Sequence, residues 1–276
     1  MQPYKLLATD LDGTLFDSHG RISRENFAAI HRLAEAGIPV VPATGRTLGD
    51  LPHELVAGDD IRYILHSNGA ALYDKQTGER TVCGLSPSIT RRVMRILRSF
   101  DGHLTVRTGG VSHMDAAISV EHAFARYHLS EAHADILSSC GKPVQDLASW
   151  AETQDAIEML CMFFHDESEH AACRRLLEAE EDIRVVAAAP FNLEVVHRNA
   201  GKGSALHQLA DRLGIDYEQT VCVGDSENDA PLLSAAGLAL AVGNACPLLK
   251  RMCDEVICSN DEHAIAYIAD RYFLVK

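Results

Sequence analysis

The feature that most constrains this chain is a short apolar segment that ends in two acids. Residues 4–9 are mostly apolar with no helical period, which predicts a buried strand. Asp10 and Asp12 follow it, then Gly13 and Thr14. Ligands of open parallel sheets bind outside the carboxyl ends of the strands, so the acids are expected at a crevice. Two carboxylates this close favour a bound cation or a proton on one of them. An acidic turn held by Asx hydrogen bonds is the alternative for this segment taken alone.

Strand and helix patterns alternate along the chain after this segment. A helix capped by Ser23 precedes a predicted strand at 38–43. A helix at about 48–56 and another strand at 63–65 are predicted to follow. Pro42 conflicts with a central strand, because proline cannot donate to the ladder. The alternation resumes at Gly201. This order predicts a doubly wound, mostly parallel Rossmann-like α/β sheet.

The pattern of predicted elements changes in the middle of the chain, where short strands and helices replace the regular alternation of strand and helix. The predicted elements there are helix 86–100, strands 103–107 and 111–115, a helical segment 121–137, strand 157–164, helix 167–179, and strands 183–187 and 192–197. We predict that residues 1–83 and 190–276 form the α/β core and that residues 84–189 are an inserted α+β domain.

Composition limits the partners of this chain. The net charge of −14 comes with no Lys/Arg cluster, which argues against nucleic acid or an anionic membrane as partner. The eight cysteines form no C-x-x-C pair and are predicted to be small buried hydrophobes in a reducing compartment. No apolar run approaches the roughly 18 residues of a membrane span. We expect a cytoplasmic protein.

Polar groups occur at four strand ends or helix starts that a doubly wound fold can bring to one rim. They are Asp10 and Asp12; Thr44, Gly45 and Arg46; Lys202; and Asp225, Asn228 and Asp229. Together they form a set for phosphoryl transfer. A carboxylate is a suitable nucleophile, and carboxylates with Mg²⁺ neutralise phosphate. A lysine, a hydroxyl and backbone N–H groups stabilise the equatorial oxygens.

These motifs resemble the four motifs of the haloacid dehalogenase-like (HAD) phosphatases, in the family's order. The matching stretches are Asp10-Leu11-Asp12-Gly13-Thr14-Leu15, Thr44-Gly45-Arg46, Lys202, and Gly224-Asp225-Ser226-Glu227-Asn228-Asp229. The insertion lies between the second and third motifs, where the Cof-type branch of the family carries its α/β cap. Asn68-Gly69-Ala70 and Gly243-Asn244-Ala245 also resemble that branch. Residues 259–264 depart from the ending that is common in the branch.

The resemblance implies a role for each core residue. Asp10 would be the nucleophile and a Mg²⁺ ligand, and Asp225 the second carboxylate ligand. Asp12 would be the general acid and base, with its backbone carbonyl on the metal. The phosphoryl group would be bound by Leu11, Thr44, Gly45, Lys202 and Asn228, with Asp229 and Arg46 in supporting positions. The acid at position 12 favours phosphatase over dehalogenase chemistry, because the ester-forming displacement of a halide needs no proton for its leaving group.

The inserted domain would exclude water and read the part of the substrate beyond the phosphate. Arg107, His113 and Asp115 lie on its predicted strands and are the specificity candidates. Three further histidines lie in the predicted helical segment, His122, His128 and His133, but their spacing does not place them on one helical face, so we do not expect a metal site there.

The resulting hypothesis is a Mg²⁺-dependent phosphatase that hydrolyses small soluble phosphate monoesters, such as sugar phosphates or phosphorylated cofactors, through an aspartyl-phosphate. Two alternatives remain open at this point. A phosphomutase would also phosphorylate Asp10. A non-catalytic protein that binds Mg²⁺ and phosphate, such as a receiver domain, combines similar residue types, although a receiver is about half this length. The oligomeric state is not predicted.

Overall fold

The computed structural model describes residues 4–129, 131–187 and 190–273, without the side chain of Ala132. The chain divides into two compact units. The first contains the residues up to Gly45, the segment Pro52–Thr81 and the residues from Gly201 onward. The second contains the short segment Arg46–Leu51 and the long segment Val82–Ala200.

The strands and helices of the described chain have the following bounds. The strands are β1 Leu6–Thr9, β2 Val40–Pro42, β3 Tyr63–His66, β4 Ala71–Asp74, β5 Glu79–Val82, β6 Gly102–Thr108, β7 Val111–Asp115, β8 Lys142–Val144, β9 Met159–Phe164, β10 Ile183–Val186, β11 Asn192–His197, β12 Thr220–Gly224, β13 Leu238–Ala241 and β14 Glu255–Val256. The helices are α1 Arg24–Glu35, α2 His53–Ala57, α3 Pro87–Leu97, α4 Val120–Arg126, α5 Glu131–Cys140, α6 Leu147–Ala151, α7 Glu167–Glu178, α8 Lys202–Leu213, α9 Ala230–Ser234, α10 Pro247–Met252 and α11 Ala264–Ile268.

The first unit is built on a parallel sheet with the strand order β14-β13-β12-β1-β2. Strand β1 is buried on both faces, as its continuous apolar run predicts. Its last residue, Thr9, pairs with Val223 of β12 on one side and with Pro42 of β2 on the other. This register brings the loops that follow the three strands to one edge of the sheet. The predicted α/β fold class is confirmed.

Pro42 fits the sheet because of its position in β2. The N–H of the next residue, Ala43, donates to the carbonyl of Thr9 in β1 at 2.8 Å. Alternate backbone N–H groups of a strand point to opposite sides, so the position of Pro42 directs its nitrogen away from β1. The absent N–H therefore costs no hydrogen bond to β1, which resolves the conflict noted in the sequence.

The second unit is built on a mostly antiparallel sheet with the strand order β10-β11-β9-β6-β7-β8. One face of this sheet packs against an apolar core that includes residues of α3, α6 and α7. The other face carries the buried polar side chains of His103, Thr105 and Arg107 at alternate positions of β6. Cys161 and Phe163 of β9 lie on the same face, in an apolar cluster with residues of α4 and α5. This face, called the polar face below, is therefore mixed in character.

Several predicted elements differ in their details. The predicted helix near 48–56 is a short turn at Leu48–Asp50 followed by α2, and Pro52, which cannot donate an N–H, separates the two. The predicted helical segment 121–137 is divided between α4 and α5. The short elements β8 and α6 were not predicted. Strand β11 pairs with β9 and β10, so it belongs to the second sheet although it follows residue 190.

Candidate active site

Asp10 lies at the carboxyl end of β1, an inner strand of the parallel sheet, where the sequence predicted a crevice. Its backbone N–H still donates to the carbonyl of Val223 in β12, at 3.0 Å. The next residues form a tight turn in which Gly13 has a φ of 80°. A β-carbon at Gly13 would lie 2.7 Å from the Oδ2 atom of Asp225, so only glycine fits here. The turn therefore brings the first acidic motif directly against the fourth.

Lys202 connects the two acidic motifs. It is the first residue of α8, and its side chain is 1% exposed. Its Nζ atom donates to Asp10 Oδ1 at 2.7 Å and to Asp229 Oδ1 at 2.6 Å. A cation at a helix start opposes the helix dipole, so these two carboxylates provide the stabilisation that the helix does not.

Asp229 is held from both sides. Its Oδ1 atom accepts from Lys202, and its Oδ2 atom accepts from the backbone N–H groups of Asp225 at 3.1 Å and Ser226 at 3.2 Å. Its side chain also lies against Gly224, where a β-carbon would come within 2.6 Å. The loop after β12 is thus folded around the Asp229 carboxylate, which fixes the position of Asp225.

The charges in this cluster raise the pKa values of two carboxyl groups. Burial, followed by the charge of Asp229, raises the pKa of Asp10 well above its ordinary value although Lys202 acts in the opposite direction. Burial and Asp229 also raise the pKa of Asp225, to about 6. Burial alone would lower the pKa of Lys202, but Asp10 and Asp229 outweigh it and the net shift is upward. The lysine stays charged, and added positive charge near Asp10 and Asp225 would favour the ionised forms of both carboxyl groups.

The residues present fit a hard divalent cation. One oxygen from each of Asp10, Asp225 and Asp229 lies within 4.8 Å of the others. Three ionised carboxylates and one ammonium leave two negative charges unbalanced. Because both oxygens of Asp229 already accept hydrogen bonds from the protein, Asp10 and Asp225 are the better donors. Carboxylate oxygens are the ligands that Mg²⁺ prefers.

The second motif reaches the same edge of the sheet through β2. The N–H of Thr44 donates to the carbonyl of Leu65 at 2.9 Å, and the carbonyl of Thr44 accepts from the N–H of Asn68 at 2.9 Å. Thr44 is buried and Gly45 is half-buried. A β-carbon at Gly45 would lie 3.1 Å from the Asn68 side chain, so the loop is closely packed.

The loop Ser67–Gly69 supports this arrangement, although no role was predicted for it from the sequence. Its residues Ser67, Asn68 and Gly69 have φ values of 52°, 54° and 77°, a left-handed run that is costly for the two residues other than glycine. A β-carbon at Gly69 would lie 2.3 Å from Gly201, directly before Lys202. The signal in the sequence was Asn68-Gly69, since Asn and Gly tolerate this conformation best.

Four other predicted residues have different degrees of exposure. Leu11 is buried, whereas the Asp12 side chain is exposed. Asn228 is half-buried and accepts a hydrogen bond from the Ser226 hydroxyl at 2.6 Å. Arg46 is half-buried and donates to the backbone carbonyl of Asp50 at 3.2 Å.

Two hydrogen-bonding residues of the site were not assigned roles in the sequence. The Thr14 hydroxyl donates to Asp225 Oδ1 at 3.3 Å, and the Asn244 side-chain amide donates to the carbonyl of Gly13 at 2.8 Å. Both residues stand in stretches that resemble family motifs, which was the available signal. They orient the acidic turn and its partner carboxylate.

Comparisons with known proteins agree with this geometry. The model of the haloacid dehalogenase-like hydrolases matches residues 7–268. The chain is 31% identical to the phosphatase YwpJ of Bacillus subtilis, over 96% of this chain and 98% of that protein. It is 29% identical to the 5-amino-6-(5-phospho-D-ribitylamino)uracil phosphatase YwtE of Bacillus subtilis, over 97% of each. A solved haloacid dehalogenase-like hydrolase from Bacillus subtilis covers 97% of this chain and is itself covered to 99%, with a TM-score of 0.82 and 28% identity.

The chain belongs to the haloacid dehalogenase-like hydrolase family.

Family membership confirms the predicted enzyme class, a HAD-type phosphoric monoester hydrolase. It also rules out the non-catalytic binding protein as the principal hypothesis. Among the residues that the structure describes, no helix is long and apolar enough to cross a membrane. Magnesium dependence, the roles of the individual site residues and a cytoplasmic location stay predictions.

The specificity candidates of this HAD protein do not share one surface. Arg107 pairs with Ser112 across β6 and β7, whereas His113 pairs with Val106, so Arg107 and His113 lie on opposite faces of the second sheet. The His113 ring lies 4.5 Å from the ring of Trp150. Asp115 accepts hydrogen bonds from the N–H groups of Ala117 and Leu147 and so stabilises local turns. Arg107 alone lies on the polar face.

Proposed function

We propose that this protein is a Mg²⁺-dependent phosphatase that hydrolyses small phosphate monoesters through an aspartyl-phosphate on Asp10. The observation that carries the proposal is the buried ion-pair network of Asp10, Lys202 and Asp229 at the carboxyl end of β1, with Asp225 beside it. A buried lysine that neutralises only part of the carboxylate charge is expected where a cation and an anion bind together.

In the first half-reaction an Asp10 carboxylate oxygen attacks the phosphorus atom, and the bond from phosphorus to the ester oxygen breaks. The carboxylic acid of Asp12 gives its proton to the departing oxygen, which leaves as an alcohol. Lys202 is held 2.7 Å from Asp10 and offsets the negative charge that the nucleophile and the phosphoryl group bring together. Thr44, the N–H groups of Leu11 and Gly45, and Asn228 bind the phosphoryl oxygens.

In the second half-reaction the Asp12 carboxylate takes a proton from a water molecule, whose oxygen attacks the phosphorus atom. The bond from phosphorus to Asp10 breaks, which releases inorganic phosphate and restores both acids. The exposure of the Asp12 side chain suits this role, since it must exchange protons with an alcohol and with water. Asp229 keeps Lys202 in place throughout.

A divalent cation bound by Asp10, Asp225 and the backbone carbonyl of Asp12 would neutralise phosphate charge and favour the ionised form of the nucleophile. The raised pKa values of Asp10 and Asp225 support this part of the proposal, since a nearby cation would lower both of them. Arg46, the last residue of the second motif, is a supporting residue.

The proposed substrates are small soluble metabolites such as sugar phosphates and phosphorylated cofactors. The relative YwtE acts on a phosphorylated ribitylamino-uracil, which combines a sugar-like chain with a phosphate. In the second unit we retain Arg107 as the candidate for substrate specificity, because it is a buried cation on the polar face of the sheet. His113 and Asp115 have local contacts that account for them.

The test is a phosphate-release screen over a panel of phosphometabolites with Mg²⁺, run on the wild type and on Asp10→Asn. The proposal predicts release of inorganic phosphate by the wild type and none above background by Asp10→Asn. Asp59→Asn is the matched control, since this acid is exposed and lies outside the cluster, and it should keep full activity. The requirement for a metal is tested with EDTA: treatment should abolish the activity of the wild type, and adding Mg²⁺ should restore it. Formation of a bisphosphate instead of free phosphate would indicate a phosphomutase and contradict the proposal.

A further inference from the structure

The chain passes from the first unit to the second within the second motif, between Gly45 and Arg46. Thr44 is bonded within the first unit, where its N–H donates to the carbonyl of Leu65 at 2.9 Å. Residues Arg46–Leu51 belong to the second unit. The hydrogen-bond partners of the backbone therefore change after Gly45, from residues of the first unit to residues of the second. Glycine has no side chain to limit its backbone torsions.

Asp50 holds this segment within the second unit. Its Oδ2 atom accepts from the N–H of Thr47 at 3.1 Å and from the hydroxyl of Ser112 in β7 at 3.1 Å. Asp50 is 6% exposed and Ser112 is 2% exposed. In the described structure the Oδ1 atom of Asp50 is buried without a hydrogen-bond partner. A buried carboxylate with one unbonded oxygen is expensive for folding, so its presence calls for a reason other than stability.

The hairpin that receives Asp50 is itself firmly held. Strands β6 and β7 are joined by Gly109 and Gly110, whose φ values of 65° and 74° suit a tight two-residue turn. The N–H of Gly49 donates to the carbonyl of Gly110 at 2.8 Å, and the N–H of Gly110 donates to the buried Glu158 carboxylate at 2.8 Å. The segment is thus fixed by both its backbone and the Asp50 side chain.

We propose that Asp50 is a positioning residue for the phosphate-binding pair Thr44 and Gly45. By fixing the chain directly after Gly45, Asp50 limits the conformations that this pair samples before a phosphate binds, which lowers the ordering cost of binding. Asp50 acts through the chain and does not contact the phosphate. The inference rests on the proposed function, because it assumes that Thr44 and Gly45 bind the phosphoryl group.

Three variants separate positioning from simple stability. Asp50→Ala removes both hydrogen bonds, Ser112→Ala removes one, and Asp50→Asn keeps both through its amide oxygen. The readouts are KM for the best substrate, the inhibition constant of inorganic phosphate, and Tm. Because Asp50→Ala removes both hydrogen bonds and Ser112→Ala only one, we expect both constants to rise roughly tenfold or more in Asp50→Ala and about two- to fivefold in Ser112→Ala. Asp50→Asn should remain within about twofold of the wild type.

Asp166→Ala is the matched control, because one oxygen of that carboxylate likewise accepts hydrogen bonds within the second unit, from the N–H groups of Ser168 and Glu169. It should lower Tm and leave both constants unchanged. If Asp50→Ala lowers Tm equally with unchanged constants, Asp50 is merely structural and the inference is wrong. If Asp50→Ala does not fold, wild-type constants in Ser112→Ala contradict the inference and raised constants support it.

Failure of the proposed function is recognised separately. If the wild type hydrolyses no ester, that function is wrong, and calorimetric titration of inorganic phosphate then decides the inference. Weaker phosphate binding in Asp50→Ala or Ser112→Ala, with normal binding in Asp166→Ala, supports positioning. Equal phosphate binding in all these variants, or none in the wild type, overturns it.

Discussion

Replacement of Lys202 by methionine should destabilise the protein in a strongly pH-dependent manner. Methionine has a similar length but leaves the buried carboxylates of Asp10 and Asp229 without the ammonium that lies 2.7 and 2.6 Å from them. Breaking a buried ion pair by removing one partner costs about 3–5 kcal/mol. We expect a loss of that size in the free energy of unfolding near neutral pH.

The pH dependence follows from the carboxyl groups. Lys202 lowers the pKa of Asp10, so without the lysine Asp10 binds a proton more readily in the folded protein, and the variant loses buried charge as the pH falls. Urea denaturation in EDTA should therefore give a large difference from the wild type near pH 7.5 and a smaller one near pH 5. If Lys202→Met does not fold near pH 7.5 but folds near pH 5, the result also supports this pH dependence.

Two further variants complete the measurement. Lys142→Met removes an exposed lysine and should change the free energy of unfolding by less than about 0.5 kcal/mol at either pH. Adding Asp229→Asn to Lys202→Met should recover part of the loss, because one unpaired charge is removed. A cost below about 1 kcal/mol for Lys202→Met, equal at both pH values, would refute the account of this cluster.

Three other outcomes are expected. Asp12→Asn should lower kcat by about 10² to 10⁴ with its fold intact by circular dichroism, because it loses the acid and base; wild-type turnover would contradict that role. Because Asp225 has a pKa of about 6 in the folded protein against an ordinary value of 3.8, the folded state binds more protons than the unfolded chain between those values. The free energy of unfolding in EDTA should fall as the pH rises through that window, and the increase in Tm on adding Mg²⁺ should be larger near pH 7 than near pH 5; an equal increase would refute this reasoning. Gly13→Ala, with a φ of 80° and a β-carbon 2.7 Å from Asp225, should weaken Mg²⁺ binding measured by calorimetry, whereas Gly20→Ala, also at positive φ but in open space, should leave it unchanged.

The sequence predicted the parallel sheet and the convergence of the polar loops because these depend on local patterns. Continuous apolar runs gave β1 and β12, and the carboxyl ends of parallel strands share one edge wherever the register is similar. Asp10 and Asp225 follow paired strands, so their proximity follows from strand order alone. The contacts of Lys202 with two carboxylates required the helix position as well.

Other features depend on tertiary contacts that no local pattern reveals. The left-handed run Ser67–Gly69 depends on packing against Gly201. The hydrogen bond that Asp50 accepts from Ser112 depends on a hairpin some sixty residues away in the chain. The faces of Arg107 and His113 depend on strand register, since a shift of one residue exchanges the two faces of a strand. The short elements β8 and α6 have too few residues to show a clear period.

The central claim is that Asp10 carries the phosphoryl group during turnover. Rapid acid quenching of the wild type with Mg²⁺ and a substrate from the screen, followed by peptide mass spectrometry, tests it directly. Borohydride reduction of the same sample converts an acyl phosphate to homoserine and so marks the residue. We predict one phosphoryl group on Asp10, formed and lost at rates consistent with turnover and absent from Asp10→Asn. Turnover by Asp10→Asn, or a phosphoryl group on another residue, would contradict the account.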